Sequence, residues 1–209
     1  MYFAEEINQI FNSKFKVMKH LKIVVLVAVI AALISFTFKD SGYKIDSQKS
    51  KVTWVGKKVT GQHNGTISLA DGNFTTKGKK ITGGSFTIDM TTIKDAEANQ
   101  RLEGHLKSDD FFSTEKFPKA TFVTSSIEPK SGDEYVVKGN LTIKGITNAI
   151  EFPATIQITK DQLSAKAKIL VDRTKFDIKF RSGNFFENLG DKAIEDNFEL
   201  NVDLVGSPL

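Results

Sequence analysis

Apolar and polar side chains alternate at every second position over much of the chain between Tyr43 and Leu204. This period-two pattern is typical of a β-strand that buries one face and exposes the other to water. Eight segments carry the pattern or its shorter β-prone elements: 52–56, 66–69, 85–90, 120–124, 135–143, 150–158, 165–171 and 198–204. The sequence therefore predicts about eight strands and a fold of the all-β class.

Turn-forming residues separate these segments, and the connections are short. The turn signals lie at 70–73, 77–79, 83–84, 129–133 and 159–161. Short connections favour antiparallel neighbours, because parallel strands need long crossovers, and only residues 95–107 look helical. So many strands would leave long open edges unless the sheet closes, so the expected architecture is a closed antiparallel barrel or a sandwich.

An eight-stranded barrel has an interior that either is filled by side chains or holds one small ligand. The alternation predicts which side chains point inward: Trp54, Ile67, Phe86, Ile88, Phe122, Leu141, Ile143, Phe152, Ile156, Ile169, Phe198 and Leu200. An apolar lumen of this kind suits an elongated apolar ligand. The alternative, that these side chains pack against one another, stays open, and a register slip of one residue would invert any face.

The N-terminal part has a different pattern. Residues 23–38 are a run of 16 without a charged side chain, and four lysines lie between residues 14 and 22. A basic flank before an apolar run is what the secretory machinery recognises. Residues 1–38 are therefore expected to be a signal peptide or a membrane anchor, and the rest of the chain is expected to be periplasmic or secreted.

The length of the apolar run leaves cleavage undecided. A signal peptide needs about 7–15 apolar residues and a spanning helix about 20, and this run falls between the two. If it is not removed, residues 22–38 would anchor the protein in the inner membrane and bring it into membrane contact. Met18 also makes a suitable signal start, so residues 1–17 are interpreted as a possible start-site extension.

Composition excludes several classes of protein. The chain has no cysteine, which rules out disulfides, Cys-ligated zinc, iron–sulfur clusters, thiol nucleophiles and a lipidated cysteine. The formal net charge is +4, but the only arginines are Arg101, Arg173 and Arg181. Nucleic-acid readers use clustered arginine forks, so no nucleic-acid partner is expected.

The sequence contains no recognised catalytic or metal-binding motif. No G-x-S-x-G segment or phosphate-binding glycine loop occurs, so no catalytic residue and no cofactor is predicted. His105 and Asp109 have i, i+4 spacing, but two ligands are too few for a metal site, so none is predicted. Arg173 and His105 are the candidates for contact with a ligand head group. The alternatives are that Arg173 holds a loop and that His105 bonds to a carboxylate or backbone group at the barrel rim.

Four phenylalanines cluster late in the chain, at 176, 180, 185 and 186, around the segment 181–184. Either they pin a long loop to the barrel, or the loop is a lid with its hinge at Gly183 and Asn184. The sequence leaves both interpretations open.

Four segments resemble the signature of the YceI-like family: LEGHLKSDDFF (102–112), EKFPKATF (115–122), KGNLTIKGIT (138–147) and VDRTKFDI (171–178). The resemblance extends over residues 43–206. It implies a lipocalin-like antiparallel eight-stranded β-barrel with one short helix, periplasmic or secreted, whose elongated lumen binds a polyisoprenoid such as an isoprenoid quinone. Two departures are Glu103-Gly104, where many members have R-D, and the segment 54–63, which resembles a subgroup with W-x-G-x-K-V-T-G-x-H.

The leading hypothesis is an exported, non-enzymatic protein that carries or stores one polyisoprenoid or isoprenoid quinone in its lumen. One alternative is a quinone- or lipid-modifying enzyme or redox-linked factor that uses His105 and Arg173. Another is a structural or stress-response barrel with a filled interior. The sequence does not distinguish a monomer from a homodimer, or one isoprenoid and chain length from another.

Overall fold

The computed structural model describes residues 41–78 and 80–209, so the predicted signal or anchor segment lies outside the described residues. The strands are β1 (Ser41–Ile45), β2 (Lys51–Lys58), β3 (Gly61–Lys77), β4 (Lys80–Asp95), β5 (Lys119–Pro129), β6 (Glu134–Ile143), β7 (Ile146–Ile158), β8 (Leu163–Asp172) and β9 (Asn197–Pro208). Among the described residues there is one α-helix, α1 (Gln100–Lys107), and there are two 3₁₀ turns, Arg173–Phe176 and Gly190–Lys192. None of the helices described is long and apolar enough to span a membrane.

The sheet is antiparallel throughout and closes on itself. Each strand from β2 to β8 pairs with the next along the chain, and β9 pairs with β2 as well as with β8. The short strand β1 lies between β3 and β9, as β2 does, so the two together occupy a single position in the ring. This arrangement confirms the predicted eight-stranded antiparallel barrel, and each of the eight predicted segments lies within one strand.

Two predicted turns are wrong. Residues 70–73 lie within β3 and residues 83–84 lie within β4. The pairing register between β3 and β4 shifts after Leu69, so the extra residue forms a β-bulge rather than a turn. A bulge tolerates the same residue types as a turn because it also bends the backbone locally, which explains why the signal was misread.

The helix is shorter than the predicted span of 95–107. The Asp95 carboxylate accepts hydrogen bonds from the backbone N–H groups of Glu97 and Asn99, which holds this segment in a turn. Asn99 then caps the helix, because its side-chain oxygen accepts from the backbone N–H of Leu102. The helix therefore begins at Gln100.

Glu103 ties α1 to the barrel wall. Its carboxylate accepts from the backbone N–H of Asp95 at 3.1 Å and from Lys94 Nζ at 2.9 Å. The hydrogen bond from Lys94 holds the pKa of Glu103 below its usual value, with a smaller contribution from the Asp95 N–H. The helix is thus fixed across one end of the barrel.

The two ends of the barrel differ in construction. We call the helix end the one formed by α1, the β6–β7 turn and the loop of residues 173–196. The opposite end, called the hairpin end, carries the turns at 130–133 and 159–162. The helix end has much more chain available to cover the interior.

A glycine makes room for the single tryptophan of the chain. Gly65 pairs directly with Trp54, and a Cβ at Gly65 would overlap the Lys94 carbonyl oxygen and come within 2.8 Å of Trp54 Cε2. Because the Lys94 backbone cannot easily move away from the added methyl group, we expect Gly65→Ala to lower the free energy of unfolding by about 3 kcal/mol. Urea denaturation measures this value.

Gly104→Ala is the matched control for Gly65→Ala. Gly104 lies in α1 with open space around it, so alanine there should raise the free energy of unfolding by about 0.5–1 kcal/mol. Equal stability of the two variants would contradict the close packing of Gly65.

Candidate ligand-binding lumen

The interior of the barrel holds two apolar cavities, of about 110 and 120 Å³. One lies toward the hairpin end, with Phe74 and Val137 in its wall, and the other lies toward the helix end. By this measure of volume one water needs about 10–15 Å³, so each cavity has room for several ligand atoms. The barrel is therefore not filled by its own side chains.

The two cavities meet near the middle of the barrel. Four residues line both of them: Val52, Ile88, Leu141 and Leu200. We call the two cavities together the lumen. The four shared side chains lie between the two cavities, which follow one another along the barrel, one in each half.

All twelve side chains predicted to point inward line the lumen. The same alternation also places Val137 and Val202 in the wall, although they were not among the residues named from sequence. Phe74 was missed because it follows the segment misread as a turn. Leu106 and Phe111 were missed because helix and loop residues do not follow the strand period.

Aromatic and aliphatic groups make up nearly all of the wall. The rings of Phe86, Phe122 and Phe152 follow one another around the hairpin-end cavity, with centroids 6.4 and 5.4 Å apart. Trp54 contributes the indole N–H, which is buried without a hydrogen-bond partner among the described residues. A buried donor without a partner is costly, so this N–H is an uncompensated polar group in an otherwise apolar wall.

Arg173 is buried beneath the loop of residues 173–196. Its Nε donates to the Glu195 carbonyl at 3.0 Å, and Nη1 donates to the Ile178 carbonyl at 2.8 Å. Its Nη2 donates to the Ile194 carbonyl at 3.0 Å and to Asp196 Oδ1 at 3.3 Å. The guanidinium therefore holds the loop. Arg173 also lies in the wall of the helix-end cavity, so its contact with a ligand head group stays a prediction.

The electrostatics of Arg173 agree with that structural role. Burial lowers the pKa of Arg173 from its usual value, and the nearby carboxylates of Asp196 and Asp172 oppose this shift. A buried cation is stable only when its donors are satisfied, and here backbone carbonyls and one carboxylate satisfy them.

His105 lies at the rim of the helix end. Its Nε2 is 3.2 Å from Asp110 Oδ2, and its ring packs edge-on against Phe111 and Phe180, with centroids 4.9 and 4.7 Å away. Asp109 accepts from Ser113 and Lys116, so the carboxylate beside His105 is that of Asp110, in line with the interpretation of His105 as bonded to a carboxylate at the barrel rim. No group of three metal-ligating side chains occurs among residues 41–78 and 80–209.

The late phenylalanines divide into two sets. Phe176 is fully buried, and Phe180 packs against Phe111 at a centroid distance of 5.6 Å. Phe185 and Phe186 are each half exposed. The first two rings pin the loop to the helix end, as the pinned-loop interpretation requires, and they help to close this end of the lumen.

Comparison with known proteins decides the family. The model of the YceI-like domain matches residues 43–206. The chain belongs to the YceI-like family. The resemblance inferred from the four sequence segments is thereby confirmed.

Curated relatives match over part of their length. Protein YceI of Escherichia coli O157:H7 is 33% identical over 92 residues, which is 44% of this chain and 48% of that protein. A UPF0312 protein of Shewanella denitrificans is 28% identical over 116 residues, 55% of this chain and 61% of the relative. The matched segments thus span about half to three fifths of these two relatives.

Solved structures share the fold. BcnA of Burkholderia cenocepacia superposes with a TM-score of 0.66 at 24% identity, over 77% of this chain and 98% of that one. A polyisoprenoid binding domain from Saccharophagus degradans, implicated in plant cell wall breakdown, gives a TM-score of 0.62 at 15% identity, over 79% and 97% of the two chains. At these identities the likeness establishes the barrel architecture.

The role of Arg173 can be tested by stability. Arg173→Met keeps the apolar stem but removes the guanidinium donors from the carbonyls of Glu195, Ile178 and Ile194, so the free energy of unfolding should fall by about 3–5 kcal/mol. Limited proteolysis should cut the variant within the loop of residues 173–196. The measurements are chemical denaturation and mass spectrometry of the fragments.

Arg181→Met is the matched control in the same loop. Arg181 is exposed and stacks on the ring of Phe180, so its loss should cost about 1 kcal/mol or less. If Arg173→Met is as stable as Arg181→Met, the loop-holding role is wrong.

Proposed function

We propose that this protein is an exported lipid-binding protein that holds one polyisoprenoid or isoprenoid quinone in its lumen for carriage or storage. The observation that carries the proposal is the pair of neighbouring apolar cavities inside the barrel, one in each half. An elongated, apolar space matches a long, slender, apolar chain in both shape and chemistry.

Burial of the apolar chain is the main source of affinity in this proposal. At about 0.8 kcal/mol per methylene, six to eight buried methylenes contribute roughly 5–6 kcal/mol before the cost of association. Cavities with apolar walls stay dry, so little water has to be displaced.

The comparisons support the same class of ligand. The Saccharophagus degradans domain, which shares the barrel fold, is described as polyisoprenoid binding. Family membership together with an apolar lumen extends this ligand class, as our proposal, to the present chain.

The hydrogen bonds of Arg173 and His105 favour a binding role over a catalytic one. The hydrogen bonds of Arg173 hold a loop, and His105 bonds to Asp110 at the rim. The filled-barrel alternative has no cavity, whereas the described barrel has two. We therefore infer a non-enzymatic protein with an open lumen.

Export is the part of the proposal that rests on sequence. Four lysines followed by the uncharged residues 23–38 have the order of a secretory signal. A periplasmic or secreted protein could move a water-insoluble chain between membranes. If residues 22–38 are retained, the protein would do this from an inner-membrane anchor.

Native mass spectrometry tests ligand and processing together. The full-length gene is expressed in an envelope-bearing bacterial host, and the protein is purified without detergent. We expect one isoprenoid per polypeptide, released by organic extraction, and a polypeptide mass that shows whether the N-terminal segment was removed. A protein that stays free of lipid after incubation with polyprenols and isoprenoid quinones contradicts the proposal.

Filling the junction of the two cavities should abolish binding. Ile88→Trp and Leu141→Trp each place a large ring where the cavities meet, so each should reduce the bound isoprenoid by about tenfold or more. Val123→Trp is the matched control, because Val123 lies on the outer face and is half exposed. Circular dichroism confirms that each variant is folded, and binding unchanged in both lumen variants would contradict a ligand in the lumen.

A further inference from the structure

The barrel wall is incomplete between β7 and β8. These strands pair from Ile158 with Leu163 as far as Ala154 with Ala167, and their pairing stops there. Beyond this point β7 continues along β6, and β8 continues along β9. Two neighbouring strands of the ring therefore separate over the half of their length nearer the helix end.

Pro153 explains why the pairing stops where it does. Along a strand, the backbone N–H and C=O groups of successive residues point to opposite sides. The Ile156 N–H donates to the Asp133 carbonyl on the β6 side, so the backbone groups of Thr155 and Pro153 point the other way, toward β8. The next hydrogen-bonded pair of the ladder would join Pro153 to Lys168. Proline has no N–H to donate, so this pair cannot be completed.

The helix end of the gap is closed again by side chains. Asn148 Nδ2 donates to the Lys175 carbonyl at 2.9 Å, and Lys144 Nζ donates to the Asp177 carbonyl at 3.1 Å. These contacts join β7 and the β6–β7 turn to the residues that follow β8. The gap is therefore a bounded window, which we call the β7–β8 window.

The window borders both the lumen and a groove on the outer surface. A polar groove on the outer face shares four lining residues with the hairpin-end cavity: Ala154, Lys166, Ala167 and Val202. Lys166 is exposed on the outer face and still lines this cavity. The inward-facing Ala167 is partly exposed, whereas Ala165, two residues earlier on the same face, is buried.

We propose that the isoprenoid enters the lumen sideways through the β7–β8 window and leaves its polar head group in the groove outside. This inference rests on the proposed function and adds an entry site and a head-group site to it. An apolar tail passes between the strands, while oxygen atoms of a phosphate or quinone head group accept hydrogen bonds from lysine ammonium groups.

The outer groove has the donors that a head group needs. Lys166 and Lys168 lie beside the window, and their ammonium groups pair with Asp203 at 2.9 Å and Glu199 at 2.8 Å. Both lysine side chains are about two-thirds exposed. The Lys166–Asp203 pair is exposed on both sides, and exposed ion pairs are weak, so the Lys166 ammonium group can turn to a ligand oxygen at little cost.

Single cysteines test the window, because the natural chain has none. Ala167→Cys and Ala165→Cys lie on the same face of β8. Ala167 is the last residue that pairs with β7, at the edge of the window, and Ala165 lies two residues further inside the paired region. A water-soluble maleimide should modify Ala167→Cys about tenfold faster than Ala165→Cys, and bound isoprenoid should protect Ala167→Cys. Equal, slow modification of both cysteines would overturn the window.

The modified protein then tests entry. Ala167→Cys carrying a bulky maleimide should take up polyprenol from vesicles about tenfold more slowly than the same variant unmodified. Val123→Cys, labelled on the outer face, is the control and should keep its uptake rate. Unchanged uptake by labelled Ala167→Cys would overturn sideways entry, whereas failure of the unmodified protein to bind isoprenoid would refute the proposed function instead.

The head-group site is tested with three ligands: a polyprenyl phosphate, an isoprenoid quinone and squalene, which has no head group. Combined Lys166→Gln and Lys168→Gln should weaken binding of a ligand with a head group by about tenfold and leave squalene unchanged. The ligand that responds identifies the head group. Lys44→Gln is the control, since Lys44 is an exposed lysine paired with Asp71 elsewhere on the wall. Equal losses for all three ligands, or none, would overturn the head-group site.

Discussion

Closure of the hydrogen-bonded sheet is the constraint on which the rest of this structure depends. Because β9 pairs with β2, every strand has a neighbour on both sides, and each strand must present one face inward. Period-two alternation then makes the whole inner surface apolar. With eight strand positions the interior is wide enough to leave space between the facing side chains, so the lumen follows from closure and alternation together.

The two departures from a complete barrel lie on different elements. At the helix end, α1 and the loop of residues 173–196 cover the interior, held by Glu103 and by the hydrogen bonds of Arg173. On the side, Pro153 interrupts the ladder between β7 and β8. The barrel is thus covered at the helix end, unpaired along part of one side and apolar over most of its lumen, which suits the lipid ligand that we propose.

Much of this could be predicted from the sequence, because alternation depends only on neighbouring residues. It identified the eight strand positions and twelve residues that line the lumen. Features set by tertiary contacts were less accessible. The bulge after Leu69 carries the residues of a turn, and the helix begins late because Asp95 holds the preceding segment. Arg173 was recognised as important, but its partners come from residues 178–196, and no local pattern shows which carbonyls it meets. Pro153 was visible within its strand, but its effect depends on which neighbour its missing N–H would face.

Trp54 offers the most direct measurement of lumen occupancy, because it is the only tryptophan and its buried ring lines the lumen. Protein labelled with 5-fluorotryptophan gives one ¹⁹F resonance for the chain. On addition of a long polyprenol we predict a second resonance that grows as the first disappears and is complete at one equivalent. A single resonance that stays unshifted in excess polyprenol, while the protein remains folded, would contradict the central claim that the barrel holds an isoprenoid chain in its lumen.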